Sequence, residues 1–286
     1  MRLVSYGDFT VGALRGDEVV DLSPAIGNTA KLSWDERLPA LAGAFAGSRA
    51  AIEGHLNSTK GAPLSSVRLR SPNPRPPKLL SAIGNYGDPL PPDSPLEVDF
   101  TFKSPESVVG PGDSVILSNV PASGFEAEAT LAVVIGRDAK NLGDADALSY
   151  VFGYTAMLDV FAAGLGRPVG TFFGKSLDTL GPMGPCIVTA DELGDPQNLR
   201  IRLIVNGETK QDFNTKQMIL PVAGVLRAAT GIMTLHPGDV VTVGSPPEPK
   251  VLLKDGDQVS VEIDGIGRLD VSVSDPQRRS WPAAAR

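Results

Sequence analysis

Hydrophobic and polar positions alternate through the first two dozen residues. Arg2–Tyr6, Thr10–Arg15 and residues 18–22 read as short strands separated by the turns Gly7-Asp8 and Gly16-Asp17. Residues 34–57 then carry apolar positions at helical spacing, interrupted by glycines. Ser71-Pro72-Asn73-Pro74-Arg75-Pro76-Pro77 admits no helix and reads as a stiff linker. Downstream the pattern is mostly β. Its clearest strand is residues 125–136, F-E-A-E-A-T-L-A-V-V-I-G. Asp144 is placed to cap a short helix over residues 145–151, and residues 214–230 hold another helical stretch. From 234 to 274, strands alternate with the turns Pro237-Gly238-Asp239, Asp255-Gly256-Asp257 and Asp264-Gly265-Ile266-Gly267, a spacing that predicts a β-roll or sandwich.

Polar residues inside these apolar runs carry the chemistry. Side chains two apart on a strand share a face, so Glu126, Glu128 and Thr130 point one way, toward the face that continues into the aliphatic run. Asp159 stands in Met157-Leu158-Asp159-Val160-Phe161, flanked only by apolar residues. Carboxylates entering apolar surroundings are costly unless paired, hydrogen-bonded or bound to a cation. A solvated strand end for the glutamates, or a structural pairing for Asp159, is the plain alternative. Acids on two β-like segments, with no Cys or His beside them, point to an oxygen-donor site for a hard cation, Mg²⁺, Mn²⁺ or Ca²⁺.

Composition narrows the field. The net charge of −7 and pI near 4.9 argue against a nucleic-acid phosphate footprint. No apolar run is long enough to cross a bilayer, and the first residues lack a signal-peptide stretch. Cys186 is the single cysteine, which fits a reducing cytoplasm. His55 and His236 are the only histidines and neither adjoins the acids in sequence. A Ser-His-Asp relay or a histidine zinc site is therefore disfavoured.

Gly170-Thr171-Phe172-Phe173-Gly174-Lys175-Ser176 has the look of a phosphate loop, but it is one residue too short between the glycines. Lys175, with Ser176 and Asp178 after it, is either an anchor for an anionic substrate or a solvated lysine. Residues 84–95 form a long, proline-dense loop of the kind that serves as a lid or as a passive connection.

Together these segments resemble the fumarylacetoacetate hydrolase superfamily over nearly the whole chain. The resemblance is carried by Gly84-Asn85-Tyr86, the strand ending at Gly136, Phe152-Gly153-Tyr154-Thr155 leading to Asp159, and Gly174-Lys175-Ser176-Leu177-Asp178-Thr179. It continues through Gly184-Pro185-Cys186, Val205-Asn206-Gly207-Glu208, Asn214-Thr215 and Leu235-His236-Pro237-Gly238-Asp239-Val240. It implies a mixed α/β, β-rich fold: a small N-terminal α+β domain at 1–70 and a β-roll catalytic domain at 71–286, as a homodimer. It also implies Mg²⁺ or Mn²⁺ on Glu128 and Asp159, with Glu126 as a stand-in because Thr130 occupies the position of a second ligand glutamate. The ion is then weakly held or lost. Lys103 and Lys175 match the family's site lysines. Tyr86, Phe161, Asp178 and Ser245 fall at substrate-binding positions. Where relatives carry a lid His and Glu, this chain has Pro89 and Pro92, and where many carry Ser and Arg after the aspartate it has Phe161 and Ala163.

Three functions follow. The first is an enzyme acting on a small keto or β-dicarbonyl compound through a stabilised enolate, by C–C cleavage, decarboxylation or tautomerisation, with altered chemistry. The second is a metal-independent cyclase or isomerase of a biosynthetic pathway. The third is a non-catalytic ligand-binding homologue. None calls for a nucleic-acid or membrane partner.

Overall fold

The computed structural model describes residues 1–87, 98–165 and 171–281. The lid prolines Pro89 and Pro92, and Gly170 of the glycine loop, lie outside the described residues. Two antiparallel strands, Gly124–Ile135 and Val151–Ala163, form the middle of an eleven-stranded mixed sheet. Outward from Gly124–Ile135 come Val240–Thr242, Leu79–Ile83 and Asp99–Phe102. Outward from Val151–Ala163 come Met183–Thr189 and the N-terminal strands Arg2–Tyr6, Thr10–Arg15 and Glu18–Asp21. A second sheet runs Glu208–Asn214, Arg200–Val205, Gln258–Ile263, Gly267–Ser274, Ser114–Ile116.

Strand alternation builds three layers. Phe125, Ala127, Ala129, Leu131, Val133 and Ile135 share one face of the large sheet, and pack with Ile201, Leu203, Val261 and Leu269 of the five-stranded sheet. Ala132 and Val134 on the opposite face join Leu38, Leu41 and Ile52 of the helix Arg37–Ser58. Phe45 of that helix meets Phe152 edge to face with ring centroids 5.1 Å apart.

The N-terminal strands are not a separate sheet. Arg2 and Leu3 pair with Val188 and Ile187, so the first seventy residues extend the large sheet. The expected stiff linker is packed in: Ser71, Pro72 and Asn73 are buried, and the Asn73 amide donates to Gly238 O at 2.8 Å. Two helices differ from expectation. Asp144 opens the short helix Asp144–Ala147 from inside instead of capping it, with its carboxylate on Arg227. The later helix starts at Val222, because Pro221, lacking an N–H, suits the residue at its N-terminal boundary. Among the described residues no helix is long and apolar enough to cross a membrane.

Candidate active site

The two central strands bring the acids together by register alone. Asp159 pairs directly with Glu128, Phe161 with Glu126, and Met157 with Thr130. The pairing runs without a shift from Gly153–Val134 to Ala163–Gly124. No bulge therefore swings Glu126 inward, and it stays about 6.5–7 Å further along the strand than Glu128. These residues lie on the sheet face that the helix Arg37–Ser58 covers further on.

Asp159 is buried, and both its oxygens are taken. Lys103 Nζ donates to Oδ1 at 3.0 Å, Lys175 Nζ donates to Oδ2 at 2.8 Å, and Ser81 Oγ also donates to Oδ2. Burial alone would raise the Asp159 pKa, but the two ammonium groups hold it well below the usual carboxylate range. Lys103 is deeper still, fully enclosed, and burial brings it down to about 8 despite Asp159 beside it. Its other donors go to Val160 O at 2.8 Å and Lys175 O at 2.6 Å. An ammonium has three hydrogens. Lys103 has spent all of them on protein, and it takes no place on the cavity wall.

Lys175 differs. It closes the four-residue helix Phe172–Lys175, donates to Asp159 and to Glu128 Oε2 at 3.3 Å, and lies 4.7 Å from the centre of the Phe161 ring. Two hydrogens are placed and one remains. Burial opposes its charge, yet Asp159 and Glu128 prevail and raise its pKa. Burial conversely raises that of Glu128, partly offset by Lys175. Gly174 permits the approach, since a Cβ there would sit 2.7 Å from Ala162 O.

Glu126, Glu128 and Lys175 line a cavity of about 1030 Å³. Tyr86 and Ser245 line it too, and both hydroxyls are buried without a partner. Asn85 fixes Tyr86 in place: its side chain accepts from Leu220 N and donates to the carbonyls of Leu220 and Val243. Phe161 lies on the wall, one strand step out from Asp159. Asp178 does not. It is exposed, in the turn beyond Lys175, and the expected substrate contact from it is absent from the wall. Sequence reasoning passed over Phe173, two residues before Lys175, and Ser81, Pro247 and Lys250, which reach the site from distant segments. Lys250 stands 3.7 Å from Glu126 Oε1.

The expected three-acid cation site does not form. Among the described residues no three acidic, histidine or cysteine side chains come together for a metal. Lys175 sits between Glu128 and Asp159, Glu126 faces Lys250, and the Thr130 hydroxyl donates to Gly244 O at 2.8 Å. These residues do not fit a three-carboxylate ligand set.

Residues 80–274 match the family described as "Fumarylacetoacetate (FAA) hydrolase C-terminal". The chain belongs to this family. Among relatives of the fumarylacetoacetate hydrolase family, the oxaloacetate tautomerase Fahd2a of Rattus norvegicus is 37% identical over 218 residues, 72% of this chain and 69% of that protein. The oxaloacetate tautomerase YisK of Bacillus subtilis is 36% identical over 219 residues, 72% of this chain and 73% of that one. A maleylpyruvate hydrolase from Sphingobium sp. SYK-6 superposes with a TM-score of 0.87 at 33% identity, over 96% of this chain and 100% of the other. The same hydrolase has been solved with a manganese(II) ion and pyruvate, TM-score 0.86. Divalent metal binding thus occurs in the family.

Proposed function

We propose that this chain tautomerises a keto acid, interconverting keto and enol forms with a lysine and a carboxylate as the working groups. The observation that carries this is the pairing of Lys175 and Glu128 on the wall of one cavity, 3.3 Å apart, with a hydrogen of Lys175 to spare. In the forward step Glu128 takes a proton from the carbon next to the keto group. The C–H electron pair moves into a C=C bond, and the carbonyl pair moves onto oxygen. Lys175 hydrogen-bonds that oxygen as its charge grows, the kind of stabilisation that matters most in a dry site. Glu128 then returns the proton to the oxygen, so no atom is gained or lost. Asp159 keeps Lys175 charged and aimed. Tyr86 and Ser245 line the wall where the acid end sits. No step passes through a metal.

The names of the relatives, two of them oxaloacetate tautomerases, support the reaction class. Exposed Phe102, Ile116 and Phe172 supply apolar surface for a homodimer, and a single buried cysteine suits a cytoplasmic setting. The test is solvent deuterium exchange at the carbon beside the keto group, followed by NMR. Lys175→Met is expected to slow exchange by roughly 10²–10³-fold, and Glu128→Gln by roughly 10²–10⁴-fold. Wild-type rates in both variants would remove the proposal.

A further inference from the structure

The wall of the cavity distributes charge and apolar surface unevenly. Its acids and amines are Glu126, Glu128, Lys175 and Lys250, and each amine already faces an acid, Lys175 at 3.3 Å from Glu128 and Lys250 at 3.7 Å from Glu126. Among the described residues no arginine reaches the wall. A ligand with one anionic head meets the positive charge of Lys175, on the stretch of wall that Tyr86 and Ser245 also line. Among the described residues a second carboxylate finds no such reception, because beside Lys250 it also meets Glu126. Elsewhere it lands on Phe161, Ala163, Leu165 or Phe173. An ionised carboxylate without a partner is strongly disfavoured there.

The same surface suits an apolar group. From Asp159 outward the strand offers Phe161 and then Ala163, about 7 and 13 Å along. Cavities of about 300–1,000 Å³ hold drug-sized ligands, and this one, at about 1030 Å³, far exceeds the needs of a four-carbon diacid. We infer that the substrate is a monocarboxylic 2-oxo acid with a bulky aryl or alkyl tail, seated with its acid end toward Lys175, Tyr86 and Ser245 and its tail along Phe161, Ala163 and Phe173. This rests on the reading of Lys175 and Glu128 as the enolising pair.

The experiment compares deuterium exchange into phenylpyruvate and oxaloacetate on the whole chain, with the same two compounds in thermal-shift titrations. Phenylpyruvate is expected to be preferred by about 10- to 100-fold in kcat/KM, the range that burying one extra apolar group supports. The double substitution Phe161→Ser with Ala163→Arg should shrink or reverse that preference. Oxaloacetate exchanging as fast as phenylpyruvate would overturn the inference and leave the tautomerase reading standing. Exchange into neither compound, by folded protein, would overturn both. An unchanged preference in the double variant would overturn the seating of the tail. If the double variant does not fold, the wild-type comparison decides by itself.

Discussion

Lys103 and Lys175 bind different oxygens of the same carboxylate, and the hydrogens each has left separate their roles. Lys103 gives all three to Asp159, Val160 O and Lys175 O, so its work is to hold the site rigid. Removing one partner of a buried ion pair costs about 3–5 kcal/mol. Lys103→Met is therefore expected to lower the denaturant midpoint markedly, while Lys175→Met, whose Asp159 keeps Lys103 and Ser81, chiefly lowers kcat. Equal losses of stability in the two variants would contradict this division. The acids were legible in the sequence, because a carboxylate within an apolar strand demands a partner, and strand periodicity put Glu126, Glu128 and Thr130 on one face. That Asp159 faces Glu128 came from the pairing of the two strands. The division between the lysines was not legible. It depends on Val160 O and Lys175 O, backbone groups whose positions no side-chain pattern reports. Asp178 misled for a related reason: close to Lys175 along the chain, it sits in a turn, where nearness in sequence does not put two side chains on one face.

At the scale of elements, the segment after the last strand does more than trail along the surface. Asp275 is buried and accepts from Arg279 through both oxygens, at 3.0 Å each, and from two backbone N–H groups. Arg279 also donates to the carbonyls of Leu117, Ser118 and Val120, and lies 5.2 Å from the centre of the Phe125 ring. Trp281 closes the strap, donating from Nε1 to Leu253 O at 2.9 Å. Burial would raise the Asp275 pKa, but Arg279 and the backbone donors lower it overall. A folded pKa below the unfolded value of about 3.9 means the stabilisation is complete above that value. It fades as pH falls through the folded one. Asp275→Asn should cost about 1–3 kcal/mol at pH 7, with the gap to wild type narrowing below about pH 4. Unfolding midpoints taken across that range check it, and a gap that does not depend on pH would assign the loss to packing. The strand at 125–136 was legible in the sequence, but the segment at 117–120 that Arg279 binds was not, because contacts between segments far apart in the chain are not encoded by alternation.

For the molecule as a whole, the decisive feature is that its sheet fixes the acids before any ligand arrives. Glu128 and Asp159 face each other because two long strands pair without a slip. The same regularity keeps Glu126 a full step away and gives Met157, not an acid, to Thr130. A cation would have to displace the Lys175 ammonium from between two carboxylates and would find only those two. At about 1 mM Mn²⁺, a site of 100 μM dissociation constant would add about 1.4 kcal/mol, a rise of a few degrees in unfolding temperature. We expect a rise of less than about one degree and exchange rates that EDTA leaves unchanged. Replacing the hydroxyl at the third position, Thr130→Glu, restores an acid on the same face one step inward and should create Mn²⁺-dependent stabilisation where wild type has none. A wild-type response as large as the variant's would show that the fold opens Lys175 away from its carboxylates, and the lysine-centred chemistry would then have to be replaced.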